Sequence, residues 1–356
     1  MRREGKVILN NFCFQDGTEL SKVEIAYEWV GEEHNPFILI CHALTGDHRA
    51  AGTEKNPGWW HEVIGPKKTI DTDRFQVITL NVLGGCHGSS GPMSINTLTN
   101  EPYRLTFPPV TIRDIVHSHR AALDVLGINE VEAVIGGSLG GMQALEWGLL
   151  YPTFMNRLVV LAATPFLSDY AIAFNTIGTL AIQNDPKWDN GNYDQSSDLR
   201  GLEIARMAGM VTYRSREVWN ETFNRKKADN DVFEVESYLA YHGKNLAHRF
   251  DANSYLLLMK AMNSHDIGSG RGGWKRAAKQ YKSKVKIIAF QGDLLYPSDA
   301  LSELSELVPK GEFHEVKLKV GHDGFLVQFE KWEYLISTYL PKLMKDDQKG
   351  NNVISG

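Results

Sequence analysis

The stretch that most constrains this chain is residues 131–147, VEAVIGGSLGGMQALEW. A β-branched apolar run leads into Gly136-Gly137-Ser138-Leu139-Gly140-Gly141, and helix formers follow. A strand, a glycine-lined turn with one serine at its apex, then a helix is the G-x-S-x-G pattern of a nucleophile elbow. Such a turn forces strained backbone angles on the serine, so its neighbours must be small. The strain lifts the hydroxyl clear of the sheet, and the helix N-terminus beneath it offers unpaired N–H groups and positive potential. A glycine-rich turn at a helix N-terminus can equally cradle a phosphate. The pentapeptide alone leaves both readings open.

The surrounding periodicities supply the frame. Residues 22–30 (KVEIAYEWV) alternate, with Val23, Ile25, Tyr27 and Trp29 on one face. Residues 37–41 (FILIC) and 75–80 (FQVITL) are apolar throughout, as strands covered on both faces must be. Residues 112–126 carry Ile112, Ile115, Val116, His119, Ala122, Leu123 and Leu126 at helical spacing, closed by Gly127. A further apolar run, 157–163 (RLVVLAA), predicts the next parallel strand. Strands and helices alternating through short links imply an α/β fold with a mostly parallel, doubly wound sheet.

After Pro165 the character changes. Residues 166–281 hold no comparable buried strand and read as amphipathic helices with aromatic anchors, a helical lid insertion. The glycine-rich GSGRGG at 268–273 predicts a flexible exit from it. The sheet resumes at 285–290 (VKIIAF) and 313–320 (FHEVKLKV), and FLVQFEKWEYLISTYL predicts one closing helix. The expected organisation is a core of residues 1–165 and 282–345, a lid of 166–281 and a polar tail of 346–356.

Serine is a poor nucleophile near neutral pH unless a base, itself oriented by an acid, lies within hydrogen-bond reach. In folds with this elbow the chain order is serine, acid, histidine. Ser138, Asp293 and His322 follow that order, each just after a predicted strand, so all three emerge on one sheet edge. Asp299 sits at a helix start and Asp323 adjoins His322, which makes Asp293 the better acid. An oxyanion needs two backbone N–H groups: Leu139, next after the serine, and Leu44 in the loop after an earlier strand. The triad order retires the phosphate reading.

Composition excludes several classes. Hydrophobic content of 42% with 23% charged residues fits an ordinary core, and a net charge of -5 argues against nucleic-acid or anionic-membrane surfaces. No apolar run is long enough to span a bilayer. Three cysteines without CxxC spacing predict free thiols and a cytoplasmic location. The histidines lack metal-ligand spacing, so no metal is expected.

Several stretches together resemble one family, the homoserine O-acyltransferases of the α/β-hydrolase superfamily. They are ALTGD (43–47), GWW (58–60), DTDRF (71–75), NVLGGCHGSSGP (81–92), TIRD (111–114), GGSLGGMQALEW (136–147), ARMAGMVTYRS (205–215), FDANSYL (250–256) and GHDGF (321–325). Two departures are Gly292, where the family more often has serine or threonine, and Gly324, where alanine is commoner. The resemblance implies an α/β-hydrolase fold and acetyl transfer from acetyl-CoA to L-homoserine through an acyl-serine, for methionine synthesis. By the same resemblance Arg206 grips the substrate carboxylate and Asp323 its ammonium. No permanently bound cofactor is implied; acetyl-CoA is a co-substrate. A homodimer through the lid is also implied, consistent with aromatics at Tyr213, Trp219 and Tyr238 that look exposed. Rival readings keep the chemistry but use succinyl-CoA or serine, or use water as acceptor, as an esterase does.

Overall fold

The computed structural model describes residues 1–194, 197–228 and 231–342. Eight strands form one sheet: β1 (Arg2–Cys13), β2 (Glu19–Val30), β3 (Phe37–Cys41), β4 (Gln76–Leu80), β5 (Val131–Gly137), β6 (Met155–Leu161), β7 (Lys284–Phe290) and β8 (Gly311–Val316). Their order is β1-β2-β4-β3-β5-β6-β7-β8. β1 pairs antiparallel with β2 and β2 with β4; every other pair is parallel. The first hairpin, with the unexpectedly long strand Arg2–Cys13, therefore edges an otherwise parallel sheet.

The uninterrupted apolar strands have the predicted cause. In β3, Leu39 and Cys41 join the core on one face of the sheet while Ile38 and Ile40 join the core on the other. Both faces are covered, so neither parity can be polar. One core packs α1 (Ile112–Val125) and α2 (Leu139–Leu150). The other packs the loop around Trp60 and the C-terminal segment around Trp332. α1 starts with a capping box, in which the Thr111 side chain accepts from Asp114 N–H and Asp114 accepts from Thr111 N–H.

Between β6 and β7 lie α3 (Asp169–Gln183), α4 (Arg200–Tyr213), α5 (Arg216–Phe223), α6 (Glu234–Ala247), α7 (Ala252–Asn263) and α8 (Trp274–Ala278). No strand of the sheet falls in this interval. The α4–α5 junction is strapped to the core: Ser215 N–H donates to Val320 O at 2.9 Å, and its hydroxyl donates to Lys319 O.

Two sequence expectations are corrected. The glycine-rich exit at 268–273 is pinned: Arg271 makes a two-pronged ion pair with buried Glu146 of α2, at 3.0 and 2.8 Å. Arg113 of α1 joins the same carboxylate at 3.1 Å. The predicted closing helix is broken, with one short α-helix, α10 (Tyr334–Ser337), preceded by 3-10 turns at His322–Leu326 and Phe329–Lys331. Between the two turns Val327 is extended and Gln328 is left-handed at φ 50°, which no continuous helix tolerates. The polar tail expected at 346–356 lies outside the described residues.

Candidate active site

Ser138 joins β5 to α2 with φ 57° and ψ -123°, outside the favourable regions for a side-chain-bearing residue. Its surroundings hold it there: Ser138 N–H donates to both Leu161 O and Ala162 O, at 3.0 and 3.2 Å. The glycines are required by contact. A Cβ on Gly136 would stand 2.1 Å from Gly140 O, and one on Gly140 would stand 2.0 Å from Cys41 O.

Asp293 follows β7, in the turn that leads to α9 (Ser298–Leu307). Its Oδ1 accepts from the N–H groups of Leu295 and Tyr296 at 2.8 and 3.0 Å. Its Oδ2 accepts from His322 Nδ1–H at 2.8 Å. That bond fixes the tautomer, so Nε2 is free to accept from the Ser138 hydroxyl at 2.9 Å. The three residues thus form one hydrogen-bonded chain, all buried. Neither Asp299, at the start of α9, nor Asp323 makes this bond.

Burial alone would lower the basicity of His322. The Asp293 charge and hydrogen bond, with Asp323 adding, more than offset it, and the net shift is upward from the ordinary value. Tyr213, Tyr296 and Phe325 surround the imidazole with ring centroids at 5.7, 5.1 and 5.8 Å. Burial raises both phenols, which stay neutral.

Leu139 is the first residue of α2, and Leu44 lies in the loop after β3. No backbone carbonyl among the described residues accepts from either N–H. Both are thus available beside the serine, as a helix N-terminus and a loop peptide can be.

Arg206 and Asp323 line the same narrow pocket as Ser138 and His322. The Arg206 guanidinium lies over the Tyr213 ring at 5.3 Å and has no carboxylate within 4.0 Å among the described residues. Asp323 faces Arg214 at a loose 3.8 Å. Burial raises its carboxyl, with His322, Arg206 and Arg214 opposing. The pocket therefore presents one cation without a carboxylate partner, held against Tyr213, and one weakly paired anion above a serine. The rest of the lining mixes apolar side chains, among them Leu167, Phe174, Met259 and Met262, with polar ones such as Thr45, Asn175 and Tyr255.

Sequence reasoning misread Tyr213 as an exposed aromatic; its ring lines the pocket beside His322. The available signal was spacing, since Arg206 and Tyr213 are seven residues apart on α4 and share a face. Trp219 and Tyr238 are half-buried against each other and Phe223. Arg214 and Tyr296 were not singled out, and no sequence pattern distinguishes them from other lid and turn residues.

The chain matches the alpha/beta hydrolase fold family over residues 36–329. It is 43% identical to a homoserine O-acetyltransferase from Methanobrevibacter ruminantium, over 96% of this chain and 75% of that one. Among solved structures it is similar to homoserine O-acetyltransferase from Bacillus anthracis, with a TM-score of 0.89, 26% identity and coverage of 96% and 98%. It is also similar to esterase E22, with a TM-score of 0.88, 28% identity and coverage of 96% and 100%.

Proposed function

This chain belongs to the homoserine O-acetyltransferases of the α/β-hydrolase fold, and from that membership we propose the following assignment of roles. The reaction is acetyl transfer to the side-chain hydroxyl of L-homoserine in methionine biosynthesis. The donor is acetyl-CoA. Ser138, deprotonated by His322, attacks the thioester carbonyl, and the N–H groups of Leu44 and Leu139 hold the oxyanion. The thiolate of CoA leaves with the proton from His322, and an acetyl-serine remains. Arg206 holds the homoserine carboxylate and Asp323 its ammonium. His322 then takes the proton of the homoserine hydroxyl, which attacks the ester and returns Ser138 to its free form.

The observation that carries this reading is that the Asp293–His322–Ser138 chain opens on the same pocket as Arg206, which has no carboxylate partner among the described residues, and the loosely paired Asp323. A zwitterionic amino acid needs one fixed charge of each sign, and a simple ester does not. Arg206 is also the one cation lining that pocket among the described residues, and the acceptor's carboxylate uses it. A succinyl donor would need a second.

The structural likeness to esterase E22 favours a second reading, with water as acceptor. Acetyl-CoA supplied with and without L-homoserine separates the two. The expected result is thiol release that depends on homoserine, with O-acetylhomoserine as product. Equal release without any amino acid would sink the transferase reading. Ser138→Ala should lower turnover by roughly 10⁴-fold or more.

The free thiols Cys13, Cys41 and Cys86 support a cytoplasmic site of action, and no helix among the described residues is long and apolar enough to cross a membrane. A homodimer through the lid is supported by exposed Ile177 and Leu180 on α3, Ile204 and Val211 on α4 and Tyr241 on α6.

A further inference from the structure

Gln143 is a fully buried amide on α2 to which the reaction scheme gives no part. Its Nε2 donates to two backbone carbonyls, each at 3.2 Å: His42 O, in the loop after β3, and Leu139 O, in its own helix. Those carbonyls border the two N–H groups assigned to the oxyanion. Leu139 carries one, and Leu44 lies two residues beyond His42. Loop and helix abut closely enough for one side chain to span them, since a Cβ on Gly140 would lie 3.2 Å from His42 O. Rotating the amide would aim Oε1 at two carbonyl oxygens, so the surroundings fix its orientation. Oε1 itself finds no partner among the described residues. A buried unpaired acceptor is destabilising, and it offsets part of what the two donated bonds contribute to the fold.

The far side of the loop is held by His42. Its Nε2 accepts from Val82 N–H at 3.0 Å, which places the hydrogen on Nδ1, and Nδ1–H donates to Ala43 O at 2.8 Å. Gly46 N–H donates to the same oxygen at 3.0 Å. The Ala43 carbonyl and the Leu44 N–H belong to one planar peptide unit. Two donors on the carbonyl therefore set the direction of the N–H. Burial keeps this imidazole neutral, pushing its pKa down to about 4, so the tautomer persists through the neutral range.

We propose that Gln143, together with His42, is a positioning residue that locks the loop after β3 to the first turn of α2, so that Leu44 and Leu139 N–H converge on one oxygen. The inference rests on the acyl-serine reading above. Each carbonyl attacked, in acetylation and in deacetylation, would place its oxygen at that point.

The test compares Gln143→Met, which removes the donor at similar volume, with Gln143→Asn, whose shorter amide cannot span both carbonyls. Three quantities are read: the melting temperature, the rates of the two half-reactions, and the infrared carbonyl band of enzyme acetylated by carbonyl-labelled acetyl-CoA. The expected result is a roughly 10- to 100-fold fall in both half-reactions, below the full loss of an oxyanion donor. Homoserine affinity should stay within about twofold, because the oxyanion donors face the acyl carbonyl and not the acceptor. The methionine variant should lose activity out of proportion to any fall in melting temperature, and its acetyl carbonyl band should move to higher wavenumber as its hydrogen bonds weaken. Parent-like rates with an unmoved band would overturn the proposal. So would lost activity that tracks lost melting temperature while the band stays in place. If the fold does not accommodate methionine at this position, the asparagine variant decides by the same readings. Should the parent form no acetyl-enzyme at all, the acyl-serine reading fails, and the rate-against-affinity split under steady turnover still judges Gln143.

Discussion

His322 is asked to be two things at different pH. It must be neutral to take the serine proton, yet its partners Asp293 and Asp323 favour the charged form and hold its pKa above the ordinary 6.5. The acid limb of the acetylation rate should therefore have its midpoint above 6.5, read from a pH–rate profile of thiol release. A limb at or below that value would contradict the electrostatic account. The sign for folding is opposite: a raised histidine contributes stability fully below its unfolded value and loses it as pH climbs through the folded one. Activity thus rises across the interval in which this contribution fades. Arg206→Ala should raise the KM for homoserine by about 10- to 100-fold, the worth of a charged hydrogen-bonded contact. The rate of acetylation by acetyl-CoA alone should change little, and a comparable loss there would remove Arg206 from acceptor binding. Gly140→Ala has no room, since its Cβ would meet Cys41 O at 2.0 Å. Activity should collapse as the elbow or the loop after β3 shifts, and a crystal structure of the variant would show which.

At the scale of elements, the strands were legible because burial on both faces leaves long apolar words: FILIC coincides with β3, and VKIIAF lies within β7. The ends of such strands also told where Ser138 and Asp293 emerge; the strand expected at 313–320 instead ends at Val316 and is largely uncovered, so His322 stands on a 3-10 turn beyond a connecting loop. What the sequence hid depended on contacts between distant segments. GSGRGG reads as flexible, yet Arg271 within it closes on Glu146, more than a hundred positions earlier. The closing segment has helical composition, but Trp332 Nε1 donates to Val327 O, and left-handed Gln328 serves that packing instead. Tyr213 resembled a surface aromatic because local pattern cannot say which way a lid helix turns. The Glu146 cluster carries its own prediction. The carboxylate is buried and holds Arg113 and Arg271, so Glu146→Ala should cost about 3–5 kcal/mol in urea unfolding by leaving both cations without their partner. A cost under about 1 kcal/mol would mean that the exit from the lid is not clamped there.

For the whole molecule, the helical insertion between β6 and β7 contributes on two faces. Its inner face supplies Arg206 and Tyr213 to the pocket, while its outer face exposes Ile177 and Leu180. Placing Asp at both outer positions should shift the sedimentation coefficient from dimer to single chain without moving the homoserine KM by more than about twofold, as expected of exposed side chains that do not line the pocket. A parent protein that sediments as a single chain at every concentration would refute the dimer.

The bond between Ser138 and His322 joins positions 184 apart in the chain, with the whole lid between them. Closing so long a connection is slow and comes late. A growing polypeptide can form its elbow and display a strained serine long before the base that arms it has left the ribosome. Until then Ser138 has no base within reach to take its proton. In a refolding experiment the return of helical circular dichroism should accordingly precede the return of activity, and the interval between them times the docking of the last strand and its histidine.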